Sequence, residues 1–155
     1  MVVADHERAW SGGRNVGDEY FAADSAWIDL SFSLAGPVVA DLSNLCAADW
    51  AFARKRIAEP DVVPSDAAGS RTVQLVPAGP TLARDTLHEL MLTACHGAQR
   101  RICIASPYFV PDEALQLALV LAARRGVEVR LLLPRRSNHR LADLARMRYL
   151  RELAA

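Results

Sequence analysis

From residue 72 onward the apolar residues switch repeatedly between two spacings, and this alternation limits the fold more than any other feature of the chain. Residues 72–76 read as a strand, and Pro77, Gly79 and Pro80 turn the chain into a loop. Leu87, Leu90, Met91 and Ala94 then share one helical face, which predicts a helix over about 84–98. Ile102 and Ile104 mark a short buried strand over 101–106 that stops at Pro107. The loop 107–112 leads into a helix over 113–125, and Gly126 takes the C′ position that ends it. Residues 127–133 read as a strand with a continuous apolar end, as strands covered on both faces show, and Pro134 terminates it. Ser137 or Asn138 can cap a last helix running to Ala155. The order β-α-β-α-β-α with short connections predicts an α/β fold, a parallel sheet with helices packed on it.

The first part of the chain reads differently. Val2 and Val3 lead as a strand into Asp5, and residues 7–10 can pair back across a tight turn. Ile28, Leu30, Phe32 and Leu34 alternate with Asp29, Ser31 and Ser33, the pattern of a half-buried strand. Gly36 and Pro37 end it, and Pro37 fits the first turn of an amphipathic helix over 38–56. Trp50 and Phe52 on that helix are expected in a core or at a domain interface. Over 58–71, Pro60, Pro64, Ser65, Gly69 and Ser70 break the periodicity. That segment is the expected linker, with one domain over 1–57 and a second over 72–155.

Composition excludes several function classes. The 155 residues suffice for a sizeable core, and 52% hydrophobic content excludes a disordered chain. Formal net charge is zero, which argues against strong global attraction to nucleic acid or an anionic membrane. The 18 basic residues are 17 Arg and the single Lys55. Arg124, Arg125, Arg130, Arg135, Arg136 and Arg140 cluster late; Arg suits phosphate recognition, although a bias towards Arg and Ala accounts for most of these positions. Cys46, Cys95 and Cys103 are odd in number and lack C-x-x-C spacing, so they read as buried thiols and not as a disulfide frame or zinc site. His88, Cys95 and His96 share a helical face but lack further ligands, and His88-Glu89 is no H-E-x-x-H because position 92 is Leu; no metal is expected. His6 reads as solvated, and His139 as solvated or phosphate-contacting. No apolar run is long enough to span a bilayer, and the opening residues lack signal-peptide character. Any membrane contact is expected to be peripheral.

Residues 5–15, D-H-E-R-A-W-S-G-G-R-N, carry the first candidate site. Gly12 and Gly13 remove Cβ atoms where backbone must approach something closely. The backbone N–H groups of such a turn can cradle an anion, and Asn15 offers an amide donor. The same residues also make a plain β-hairpin followed by a glycine turn, and both readings stand on this evidence.

The spacing resembles the tail of the phospholipase D superfamily signature, H-x-K-x4-D-x6-G-[S/G]-x-N. Four further collinear segments are similar to bacterial cardiolipin synthases and related phosphatidyltransferases: W-I-D-L with G-P-V-V, D-W-A-F, S-P-Y-F-V-P-D-E, and R-G-V-E-V-R with Pro134. The resemblance implies two similar domains, each a mixed, largely parallel sheet flanked by helices, and both incomplete here. Each family domain donates one H-x-K to a shared site. One His forms a phosphohistidine, the other is acid and then base, and the lysines stabilise the phosphoryl oxygens without a metal or cofactor. The implied substrate is a phosphatidylglycerol-like phospholipid, at the cytoplasmic side of a bacterial cytoplasmic membrane. Asp5 matches the signature Asp, a supporting residue. Gly12, Gly13 and Asn15 match the phosphate-lining loop, with Gly13 where many relatives carry Ser. Tyr108 and Phe109, at a strand's carboxyl end, are expected near the pocket, or in a packed aromatic loop.

The chain departs from the signature in one decisive way. Its only Lys is Lys55, with Ala53 two places before it, so it contains no H-x-K. By the signature's count the family Lys would fall immediately before Met1 and the His two residues earlier; the second motif would lie beyond Ala155. The expectation is an enzyme fragment, inactive by itself because its nucleophile is missing, with exposed sheet edges and apolar surface. The alternatives are a non-catalytic module binding phosphate or anionic lipid, or a fragment of a phospholipase D-type hydrolase or nuclease. The neutral charge and the lack of aromatic residues among the late arginines argue against nucleic acid.

Overall fold

A computed structural model describes residues 1–21, 27–57, 62–79, 82 and 84–154. The expected loop before Trp27, the linker proline Pro60, the loop proline Pro80 and the helix end at Ala155 lie outside the described residues. The chain divides into two compact units, Met1–Pro77 and Ala78–Ala155.

The first unit is a three-stranded antiparallel sheet, β1 (Val2–Ala4), β2 (Arg8–Gly12) and β3 (Ser31–Ala35), with helix α1 (Val38–Ala53). Asp5 and His6, both at positive φ, form the β1–β2 turn, and the Glu7 N–H closes it on Ala4 O at 3.0 Å. Asp tolerates such backbone because its short polar side chain compensates locally. Strand β2 pairs with β3 from Arg8↔Ala35 to Gly12↔Ser31. This register corrects the expected strand from Ile28. The ladder ends at Gly12↔Ser31, so β3 starts at Ser31 and leaves Ile28 and Leu30 exposed before it; Phe32, opposite Ser11, is exposed within the strand. Val39 and Leu42, one helical turn apart, carry the buried face of α1 onto Ala9, with Val3, Leu34 and Leu75 around them.

Helix α1 ends at Ala53 and not at 56. Lys55 takes a left-handed conformation, its N–H bonds Phe52 O and the Arg56 N–H bonds Ala51 O, the paired pattern that closes a helix C-terminus. Trp50 and Phe52 are exposed and belong to no core of this unit, which corrects the core half of the expectation; Trp50 is 68% exposed. The helix buries only its first two turns because the sheet beneath it is five residues long. Further along, the Asn44 side chain brackets the Val62 peptide, accepting from its N–H at 3.3 Å and donating to its oxygen at 3.4 Å. Residues 72–76 form no strand; Leu75 packs on the first unit's core, a tertiary contact that overrides local strand preference.

The second unit follows the expected alternation after that missing strand. Its elements are α2 (Thr86–Gly97), β4 (Arg101–Ala105), α3 (Glu113–Arg124), β5 (Glu128–Leu132) and α4 (Arg140–Ala154). Strands β4 and β5 pair in parallel, Arg101↔Glu128 through Ala105↔Leu132. Asp85 and Asp112 cap α2 and α3 by accepting the His88 and Leu115 N–H groups. Gly126, at φ +87, ends α3 as predicted, and Val127 N–H bonds Ala122 O. The core gathers Cys95, Phe109, Ala118 and the fully buried Leu119 against Ile102, Ile104, Val129, Leu131, Tyr149 and Leu150. Burying a Leu side chain completely contributes about 2 kcal/mol. All three helices supply residues to that one face of the sheet. The other face, with Arg101, Cys103, Arg130 and Leu132, is exposed. This corrects the expectation of strands covered on both faces, and of Cys103 as a buried thiol.

Candidate functional site

The glycine loop lies at the end of β2. A Cβ placed on Gly12, at φ +147, would stand 2.4 Å from Leu30 O and 2.6 Å from the Ser31 Cα. These are backbone atoms, so no side chain fits. A Cβ on Gly13 would meet the Asp29 Oδ1 at 2.4 Å, a softer obstacle because a carboxylate can rotate away. The Gly13 N–H donates to Leu30 O at 3.1 Å. The close approach anticipated for a ligand is therefore made by this chain's own residues 29–31, and the Gly13 donor is already paired. Asn15 is exposed; its Nδ2 donates to the Tyr20 hydroxyl at 3.4 Å, at the long end of hydrogen bonding. Tyr20 is itself fixed edge-on against Trp27, ring centroids 5.3 Å apart. Arg14 lies over the Phe21 ring at 5.6 Å, a cation–π distance.

The structure brings Gly12, Gly13 and Asn15 into one turn but leaves Asp5 apart. Asp5 is exposed in the hairpin turn at the opposite end of β2. A strand of that length separates the two ends by about 13 Å.

In the second unit the carboxyl ends of β4 and β5 come together, as parallel pairing requires. The Ser106 N–H reaches Leu132 O at 3.2 Å, tying the loop after β4 to the end of β5. Ser106 Oγ donates to Tyr108 O at 2.6 Å and accepts the Tyr108 N–H at 3.2 Å. That turn projects the Tyr108 ring towards the loop after β5. Its hydroxyl donates to Asn138 Oδ1, and its ring meets His139 edge-on at 5.2 Å. Phe109, the next residue, points inward and is 4% exposed in the core. Tyr108 thus faces the strand ends, while Phe109 has a packing role, the alternative left open for this aromatic pair.

The loop after β5 is held from below by α4. Arg146 is 8% exposed, and its fork donates to Pro134 O and Arg135 O, each at 2.9 Å. Asp143 accepts the Ser137 N–H at 3.0 Å and lies 3.2 Å from Arg146. Ser137 Oγ accepts the His139 N–H at 3.1 Å, one place before α4 begins at Arg140. Partial burial pushes the Asp143 carboxyl up, but Ser137's donors and Arg146 outweigh it and hold the group below its ordinary range. Sequence reading missed Arg146, since nothing distinguishes it among the arginines except its i,i+3 partner Asp143.

Elsewhere, His88 Nε2 lies 2.8 Å from Asp112 Oδ2. Nε2 nevertheless makes no well-aligned hydrogen bond. Cys95 is buried in the core, which pushes its thiol up. Among the described residues no group of three or more His, Cys, Asp or Glu is placed to hold a metal ion. Nor is any described helix long and apolar enough to cross a membrane.

A strand-loop-helix unit with its polar loops at the carboxyl ends of parallel strands is the setting in which α/β proteins bind ligands. Residues 91–155 match the family described as cardiolipin synthase, phospholipase D-like domain. That match lies within the second unit, which over those residues is similar to a phospholipase D-like domain. The chain is 42% identical over 151 residues to cardiolipin synthase A of Pseudomonas entomophila (strain L48), an alignment covering 94% of this chain and 31% of that protein. The same enzyme of Pseudomonas syringae pv. syringae (strain B728a) is 42% identical over 145 residues, 90% of this chain and 30% of the relative. That of Pseudomonas fluorescens (strain SBW25) is 41% identical over 155 residues, 96% and 32% respectively. This chain thus spans about a third of the curated relatives' length. No solved structure matches it.

Proposed function

We propose that these residues form part of a phospholipase D-type phosphatidyltransferase that moves a phosphatidyl group between phospholipids, as a cardiolipin synthase does. The observation carrying this reading is the 42% identity to a cardiolipin synthase A along 94% of the chain. In this reading the chain carries segments of two related domains, one over 1–57 and one over 72–155. The substrate is a phosphatidylglycerol-like lipid met peripherally at the cytoplasmic face of a bacterial membrane.

Gly12, Gly13 and Asn15 line the substrate phosphate, and Asp5 supports the hairpin at a distance. What supports this assignment is that Gly12, Gly13 and Asn15 share one turn at the end of β2. Tyr108 lines the pocket from the second domain.

With no H-x-K in its 155 residues, this chain by itself is expected to give no phosphatidyl transfer. The test replaces the matching segment of Pseudomonas entomophila cardiolipin synthase A with this chain and follows cardiolipin formation from phosphatidylglycerol. Transfer by the chimera, lowered about tenfold by Asn15→Ala, is the expected result. A folded chimera that only hydrolyses lipid, or cleaves nucleic acid instead, sinks the transferase reading. Phosphatidyl transfer by the isolated chain would overturn the expectation that it is inactive alone.

A further inference from the structure

We infer that the loop after β5, with Arg136, His139 and Arg140 beside Tyr108, is a binding site for a phosphate ester carried by a lipid headgroup. The inference deepens the proposed function and rests on it only for the choice of ester. It starts from an unequal division of charge in this loop. Arg146 and Asp143 are turned inward and bonded to Pro134, Arg135 and Ser137. Arg136, His139 and Arg140 are exposed, and among the described residues none of them has an ion-pair partner. Of the side chains in this segment, then, the acidic one is engaged and these basic ones are free.

The loop is also fixed before any ligand arrives. Three connections set its backbone: the buried Arg146 fork, the Asp143–Ser137 bond and the Ser137–His139 bond. A fourth sets its outer edge, where Tyr108 bonds Asn138 and its ring meets His139. A loop held from two sides loses little freedom on binding, so its donors meet a ligand at low entropic cost. The chemistry that fits is an anion with several acceptor oxygens. Guanidinium forks suit phosphate oxygens, an imidazole adds a donor, and the loop lies where parallel strands present ligands. A lipid headgroup meets the requirement without a deep pocket, because these residues are exposed.

The experiment uses the whole chain with vesicles of phosphatidylcholine containing phosphatidylglycerol, and vesicles of phosphatidylcholine alone. Binding to the first and not the second is expected. The double substitution Arg136→Gln, Arg140→Gln should weaken it about tenfold or more. Arg100→Gln, Arg124→Gln, which removes the same charge from other exposed positions, should change it less than about twofold. Tyr108→Phe, which keeps the ring and frees Asn138, should cost about threefold. Equal losses from the two arginine pairs would reduce the result to unspecific charge attraction and overturn the proposal. Tighter binding to nucleic acid than to vesicles would overturn it too. A measurement on the unaltered chain needs no variant to fold: titration with glycerol 3-phosphate should shift the His139 imidazole resonances, and inorganic phosphate should shift them less. No shift with either refutes a phosphate site; equal shifts assign it to free phosphate. Because none of these readouts requires turnover, the site can stand if the chimera fails, and the transferase can stand if vesicle binding fails.

Discussion

Two helix ends in this chain solve the same geometric problem with different residues. Helix α3 closes on Gly126 and α1 closes on Lys55, each at positive φ and each followed by the same pair of backbone bonds. Glycine adopts that backbone freely, whereas a side chain there costs about 1 kcal/mol. Lys55→Gly is therefore expected to stabilise the first unit by about 0.5–1 kcal/mol, and Gly126→Ala to destabilise the second by about 1 kcal/mol. Urea unfolding followed in each unit reads both; a destabilised Lys55→Gly variant would show that Lys55 makes contacts worth more than its backbone strain. Arg146 is the other residue whose environment decides its role. Arg146→Met keeps much of its volume but removes the donors to Pro134 and Arg135, and should cost about 2 kcal/mol. It should also broaden the amide resonances of residues 134–139. A variant with an unchanged loop would mean that water or a neighbouring side chain replaces the fork.

At the scale of elements, α3, β5 and α4 each have, at or near their start, a carboxyl that the fold holds below its ordinary range. The Asp112 carboxyl is held low by the Leu115 N–H it caps, against partial burial, with His88 adding to the effect. Glu128, at the start of β5, is held low by Arg101 and then Arg130. Asp143 is lowered as well. A depressed carboxyl contributes stability that is complete above its ordinary range and is lost as pH falls through the folded value. The second unit should thus lose stability below about pH 4 and hold it above about pH 5. Asp112→Asn, which still caps the helix, should flatten part of that loss; an unchanged pH profile would contradict the assignment. These elements were also the most legible part of the sequence. Helices α2, α3 and α4 and strands β4 and β5 all fall within a few residues of the positions their periodicity predicts, because short connections leave few alternatives. Two elements were misread for tertiary reasons. The pattern at Ile28 continues past the last paired residue of β2, and Leu75 packs on the first unit's core where a strand was expected. For the candidate sites, composition and motif pointed to Gly12, Gly13, Asn15 and Tyr108. No local pattern could show that Asp29 stands over Gly13 or that Arg146 supports the loop after β5, since both depend on residues brought together by folding.

For the whole molecule, the apolar residues left uncovered matter more than those buried. Val2, Phe32, Trp50 and Phe52 are exposed in the first unit, and Leu132, Leu141 and Leu144 in the second. Among the described residues both sheets are small, with β1 and β3 as the edges of one and each strand of the other an edge. Unpaired edges beside apolar surface promote association. Sedimentation should show concentration-dependent association that Phe32→Thr with Trp50→Ser reduces; a monomer at all concentrations would count against it. Lys55 has one more consequence. As the chain's only lysine, exposed at the end of α1, it is the one internal place where a lysine-specific protease can cut. The cut leaves residues 56–155 as a single product, which includes the segment that packs Leu75 on the first unit's core and is bracketed at Val62 by Asn44. Co-elution of the two products would then mean that these contacts outlast the peptide bond, and separation would release the second unit with a loose leader attached.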